Sequence, residues 1–195
     1  MCSSDLAAWN VGDRFVIEYS GNFGIGHDGD TMYRAMQTTR GDDSIRWVIV
    51  GGGTKREELE SFVRDHDIVN AVLKPYQPRE ALGELLSLGN VHLVCIAENF
   101  SGLLVPSKFY GVLAAGRPVL YVGPRHSEVA RVIEESRCGM VVPQGDSDGL
   151  VSAIQRLHGD RAQAQSMGHR AREAFERHYT RAKACARWLQ RSEEH

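Results

Sequence analysis

The sequence predicts an open, doubly wound α/β domain: a parallel sheet of about six strands, with helices closing its C-terminal end. Three observations lead there. Short apolar runs rich in β-branched residues alternate about six times with longer segments of helical spacing. The runs are nearly continuous in hydrophobicity, as in strands covered on both faces. The chain has 195 residues, 42% hydrophobic and 25% charged, which makes one sizeable domain able to bury a core without disulfides or a structural metal.

Taken in order, the first strand is expected over residues 14–19, a helix over 28–40, and a second strand over 46–50. A helix over 55–65, a strand over 69–73 and a helix over 78–87 follow, with Pro78 suited to a first helical turn. The fourth strand is expected over 91–96 and a helix over 106–115, started by Pro106 and stopped by Gly116. A strand over 118–122 precedes a helix over 127–137, for which Ser127 offers an N-cap and Gly139 a stop. The sixth strand covers 139–142, and Asp146 caps a helix over 146–158. Parallel strands need crossover helices. In such Rossmann-like sheets ligands bind at the carboxyl ends of the strands, which directs the search to the loops there.

Beyond this body, Met167, Ala171, Phe175, Tyr179, Ala182, Cys185 or Ala186 and Leu189 recur at three- or four-residue steps, giving one or two amphipathic C-terminal helices. Residues 1–13 read as an N-terminal extension, with Met1 to Asp5 and the closing Ser-Glu-Glu-His unstructured. Residues 14–180 form the main domain and 181–195 a helical tail.

Charge narrows the classes of partner. The 23 Lys and Arg against 25 Asp and Glu give a net charge of -2, with no global attraction to nucleic acid. Residues 155–195 hold nine basic and five acidic side chains, a basic end on an acidic body. Its face is expected to be solvated, with a weak contact to a membrane surface as the other reading. Cys2, Cys95, Cys138 and Cys185 lack metal or disulfide spacing and read as reduced thiols. No apolar run approaches the roughly 20 residues of a membrane span, and residues 1–9 lack a signal-peptide pattern. A cytoplasmic location, peripheral at the inner face of the membrane in the second reading, is the expectation.

Three loops carry candidate chemistry. Tyr19-Ser-Gly-Asn-Phe-Gly-Ile-Gly-His27 joins a strand to a helix with glycines at 21, 24 and 26, and N–H groups at such a helix start form an anion site. His27 would add a hydrogen bond or a positive charge, or be an exposed loop histidine. Val48-Ile-Val-Gly-Gly-Gly53 suggests a dinucleotide fingerprint, but from Gly51 the third glycine of G-x-G-x-x-G falls on Arg56. The other reading is a turn whose glycines permit tight packing. The third loop puts Ser107 and Lys108 in a first helical turn at a strand's carboxyl end, a hydroxyl and an ammonium suited to phosphate oxygens.

As an ordered set, these loops, Lys74-Pro-Tyr-Gln-Pro-Arg-Glu80, Val105-Pro-Ser-Lys-Phe-Tyr-Gly-Val-Leu-Ala-Ala-Gly-Arg-Pro-Val119 and Cys138-Gly-Met-Val-Val142 resemble the C-terminal donor-binding half of family 4 glycosyltransferases. These are retaining enzymes built from two Rossmann-like domains, and the Pro-Ser-Lys-Phe-Tyr-Gly run is similar to a branch acting in cell-envelope polysaccharides such as colanic acid, O-antigen or capsule. The resemblance covers about residues 14–180. It implies a UDP-sugar or GDP-sugar donor as substrate and no resident cofactor or metal. By the same resemblance, Gly21, Asn22, Gly24 and His27 approach the diphosphate, Lys74 and Tyr76 with Pro75 and Gln77 lie by the nucleobase, Ser107 and Lys108 contact diphosphate or sugar, and Glu128 contacts the ribose or sugar. Two glutamates usual in the family are Leu103 and Gly111 here, and an arginine of the first loop is Asn22. No catalytic residue is implied. The acceptor domain of such enzymes precedes this half, so it is expected to be absent from this chain or to lie on another. A non-catalytic nucleotide-binding module, a sugar-nucleotide epimerase-like domain and a nicotinamide-dependent oxidoreductase domain are the other readings of the same loops.

Overall fold

The computed structural model describes residue 9, residues 11–104 and residues 106–193. Expectations placed on residues 1–8, Cys2 among them, on Val105 and on the last two residues lie outside the described residues. Six strands, β1 (Phe15–Ser20), β2 (Ile45–Val50), β3 (Ala71–Lys74), β4 (Val91–Cys95), β5 (Val119–Val122) and β6 (Gly139–Val142), form one sheet in the order β3-β2-β1-β4-β5-β6. All neighbours are parallel. Crossovers from β1 run one way and those from β4 the other, so the chain reverses direction between these strands. A crevice opens there at their carboxyl ends.

The crossover helices are α1 (Asp30–Thr38), α2 (Arg56–Asp65), α3 (Leu82–Leu88), α4 (Ser107–Ala114) and α5 (Glu128–Ser136), with α6 (Ser147–Gly159), α7 (Arg161–His178) and α8 (Arg181–Glu193) after β6. Period-two alternation divides β1 between the two faces of the sheet. Phe15, Ile17 and Tyr19 join one core with Trp47 and Met36, while Val16 joins Val48, Val50 and Leu85 around Trp9. Trp9, read from sequence as part of an extension, is thus buried. The expected fold class and all six strands are found.

Several ends differ from expectation. Pro78 leads into a single 3-10 turn, Arg79–Ala81, before α3 begins. Val69 is exposed and β3 starts two residues later. Ser127 and Asp146 cap α5 and α6 by accepting from Ala130 N and Gly149 N. Gly139 does not stop α5: Arg137 does so, at a φ of 51°. Gly139 instead opens β6, where a Cβ would overlap the Val119 carbonyl of the adjacent strand. The C-terminal stripe is covered only in part. Met167, Ala171 and Ala174 of α7 are buried, with Phe175 and Tyr179 packed against the core. On α8, Ala182, Cys185, Ala186 and Leu189 are exposed.

Candidate functional site

The loop after β1 is built on the loop after β2, backbone to backbone. Gly21 N donates to Val50 O at 2.8 Å and Phe23 N to Gly52 O at 2.6 Å, while Lys55 N returns to Phe23 O at 3.0 Å. This close approach explains the glycine run. Gly51 and Gly53 have φ of 131° and 129°, and a Cβ would overlap the Gly21 carbonyl at one and the Phe23 carbonyl at the other. The packing reading of Gly51-Gly52-Gly53 is the one found.

Opposite this loop stands α4. Pro106, at φ -70° and ψ 114°, ends the extended approach, and Ser107 and Lys108 supply the first turn at the positive end of the helix. Ser107 is exposed. Lys108 folds back over β1, its Nζ 3.6 Å from the centre of the Tyr19 ring. That ring is fixed by its hydroxyl, which donates to Asn22 O at 2.8 Å. The Lys108 Nζ is buried without a hydrogen-bond partner, and burial pushes its pKa down to about 8. Gly21 leaves the room: a Cβ there would lie 3.4 Å from Lys108 Cε.

His27 is buried, not exposed, with its ring edge-on to Tyr19 and tilted against Phe23. Its Nδ1 lies 3.2 Å from Gly24 N, and Lys55 Nζ donates to its carbonyl at 2.9 Å. Burial first, then the charges of Lys108 and Lys55, push the imidazole down to about 4. Of the two contributions expected of His27, a hydrogen bond or a positive charge, burial disfavours the charge, and Lys108 and Lys55 are the lysines beside the loop. Lys55 was not singled out by the sequence, since a lysine after a glycine run has no distinguishing spacing.

Between Gly21 and α4 lies a cavity of about 300 Å³. Tyr76, Gln77 and Ser107 lie around it with Lys108, the leucines of α3 wall one side, and His92 of β4 lies among its lining. Tyr76 is 60% exposed and rests on Gly52, where a Cβ would meet its ring at 3.2 Å. The structure thus brings Gly21, Tyr76, Ser107 and Lys108 to one cavity, with Asn22, Gly24 and His27 in the adjoining loop. Two expected residues do not join them. Lys74 directs its ammonium to the Trp9 ring, 5.7 Å from the centroid. Glu128 is exposed and held by Arg131 at 2.7 Å. Neither lines the cavity.

Sequence reasoning also passed over Glu18, fully buried on β1. Its Oε2 accepts from Gly89 N at 3.0 Å and lies 3.7 Å from His92 Nε2, which bonds to Leu86 O at 2.9 Å. Burial pushes Glu18 up to about 8 and His92 down to about 4, so near neutral pH the two are an uncharged acid and an uncharged imidazole rather than an ion pair. Together they seat the end of α3, the cavity wall, on β1 and β4. A single acid inside the apolar run Phe15-Val-Ile-Glu-Tyr19 was the available signal.

Comparison with known proteins bears on the fold and the family. Over 142 residues the chain is 29% identical to WcaI of Escherichia coli (strain K12), named for glycosyl transfer in colanic acid biosynthesis, covering 72% of this chain and 35% of that protein. Sucrose-phosphate synthase of Thermosynechococcus elongatus has the same fold, with a TM-score of 0.82 at 20% identity over 97% of this chain and 47% of that one. Anabaena HepE, solved with UDP-glucose, gives a TM-score of 0.73 at 14% identity over 91% of this chain and 49% of that one. The chain spans about a third of the curated relative and about half of each solved neighbour. Residues 14–160, from the approach to β1 through the end of α6, match the family described as Glycosyl transferases group 1, and the chain belongs to that family.

Proposed function

We propose that this domain binds the nucleoside diphosphate of a nucleotide-sugar donor, a UDP-sugar or GDP-sugar, as the donor half of a retaining hexosyltransferase in cell-envelope polysaccharide synthesis. The observation that carries the proposal is Lys108: a buried ammonium with no hydrogen-bond partner, at the start of a helix, beside the sheet's switch point. A buried unpaired charge is costly, and a diphosphate would satisfy it together with the first-turn N–H groups of α4. The base then enters the cavity beside Tyr76, and the sugar projects past the loop of Gly21 to His27. HepE, of the same fold, was solved with UDP-glucose.

The chemistry is electrostatic. As the bond between the anomeric carbon and the diphosphate oxygen breaks, its electron pair stays on that oxygen. Fixed dipoles and Lys108 stabilise the developing charge where water is excluded. The acceptor hydroxyl forms the new bond on the same face of the sugar and passes its proton to the departing diphosphate oxygen. In this reading the acceptor is held by a portion of the enzyme outside this chain, and the domain works at the cytoplasmic side of the membrane.

Calorimetry with UDP, GDP, their sugars and NAD tests the proposal. Binding of a nucleoside diphosphate, weakened by about 1.5–3 kcal/mol in Lys108→Ala, the range for a hydrogen bond to a charged group, is expected. Equal affinity in the variant would remove Lys108 from the site, and binding of NAD alone would favour the oxidoreductase class. Glycosyl transfer by this chain by itself would contradict the half-enzyme reading.

A further inference from the structure

A second cavity, of about 780 Å³, lies at the opposite end of the sheet, where β1 and β5 begin. It is separated from the Lys108 site by the length of the strands. Its lining carries Arg14, Arg117, Arg161 and His169, with Asp13 the one acid among the described lining residues. Arg14 Nε donates to Asp43 O at 2.9 Å, Arg117 donates to Ser87 O, and the Arg161 guanidinium lies 4.7 Å from the centre of the Phe15 ring. A backbone carbonyl and an aromatic face hold Arg117 and Arg161 in place. Among the described residues, neither Arg117 nor Arg161 has a carboxylate within ion-pair distance. Phe15 is fully buried and belongs to the core, so the platform under Arg161 is rigid.

We infer that this cavity is a second anion-binding site, taking a phosphate or diphosphate group between Arg117 and Arg161, independent of the nucleotide site. Planar guanidiniums offer paired N–H donors to phosphate oxygens, and donors already held in place lose little freedom when they bind. His169 and Gln165, both on α7, face the same space and would complete the shell. The group could arrive as a free anion or as the headgroup of a lipid, two sources with one recognition chemistry.

Inorganic pyrophosphate titrated into the isotopically labelled chain decides the matter. Saturable NMR shifts are expected at Asn90, Arg117, Gln165 and His169, persisting in Lys108→Ala. The Arg117→Gln/Arg161→Gln variant should weaken them by about tenfold or more, from the loss of charged hydrogen bonds. Shifts confined to Gly21, Gly24 and Lys108 and abolished by Lys108→Ala would overturn the inference, as would the absence of saturable shifts in the unmodified chain. Because the mapping is made on the unmodified chain, instability of the double variant does not blunt the test. Sedimentation with vesicles of phosphatidic acid and phosphatidylcholine, competed by pyrophosphate, assigns the headgroup as source; pyrophosphate binding without sedimentation assigns the free anion.

Discussion

Lys108 and Tyr19 form a contact in which an ammonium rests 3.6 Å from the centre of an aromatic ring and makes no hydrogen bond. The π face compensates for lost hydration, an interaction worth about 2 kcal/mol or more when desolvated, but it leaves the charge unneutralised. Under the proposed function this charge awaits an incoming anion and does not serve the stability of the free domain. Lys108→Met, of similar length and no charge, is expected to raise the stability of the free protein by about 1 kcal/mol, since a buried unpaired charge is removed. It should at the same time weaken nucleoside diphosphate binding. Urea unfolding and calorimetry on the same preparation measure both; a fall in both would mean that Lys108 serves structure.

The pH dependence follows from the same contact. Burial holds Lys108 at about 8 against an ordinary lysine value of 10.5. Below about pH 8 it is charged in folded and unfolded chains alike, and the burial penalty is fully present. Between about 8 and 10.5 the unfolded chain binds the extra proton, so this residue's contribution to stability rises with pH. Affinity for the diphosphate runs the other way, falling as pH increases through 8 because the neutral amine attracts the anion less. Binding isotherms at pH 7 and pH 9 should differ by up to about tenfold, the limit for one group titrating near 8, and Lys108→Met should abolish the difference.

Much of this was readable in the sequence, and the reasons are physical. Strand runs such as Trp47-Val-Ile-Val50 are apolar on both faces, and glycine, proline and capping residues mark the turns, so element type and order followed. Lys108 could be placed because Pro106 sets where a helix begins. His27 was harder: nothing local says that Tyr19 and Phe23 will enclose its ring. Lys74 and Glu128 lie at strand and helix ends that do reach the carboxyl edge, but partners distant or local, Trp9 and Arg131, claim their charges. Glu18 and His92 are 74 residues apart, and only the β1–β4 pairing joins them.

The glycine run gives a prediction about support rather than contact. Gly51 cannot carry a side chain, both because of its φ of 131° and because a Cβ would overlap the Gly21 carbonyl. Gly51→Ala is expected to destabilise the domain by about 1–3 kcal/mol, the cost of holding such a conformation without glycine. Since Gly21 must shift, nucleotide affinity should fall as well, although residue 51 lies behind the loop rather than in the cavity. Gly41→Ala, at a position with nothing within 4 Å of the added methyl, is the control for both thermal unfolding and calorimetry.

Glu18 gives the last prediction, through a charge that the fold suppresses. Burial raises its pKa from 4.5 to about 8, against the opposing effects of Gly89 N–H and Arg117. An acid raised on folding keeps its proton in the folded chain while the unfolded chain loses it. The stability it permits is therefore complete below about pH 4.5 and declines as pH rises towards 8, with a slope of at most about 1.4 kcal/mol per pH unit. Glu18→Gln removes the ionisation while retaining a carbonyl able to accept from Gly89 N. The variant should match the parent near pH 4, exceed it increasingly from pH 5 to 8, and show a flatter profile in urea unfolding. A parallel profile would mean that Glu18 is ionised in the folded chain and that its 3.7 Å approach to His92 is an ion pair after all.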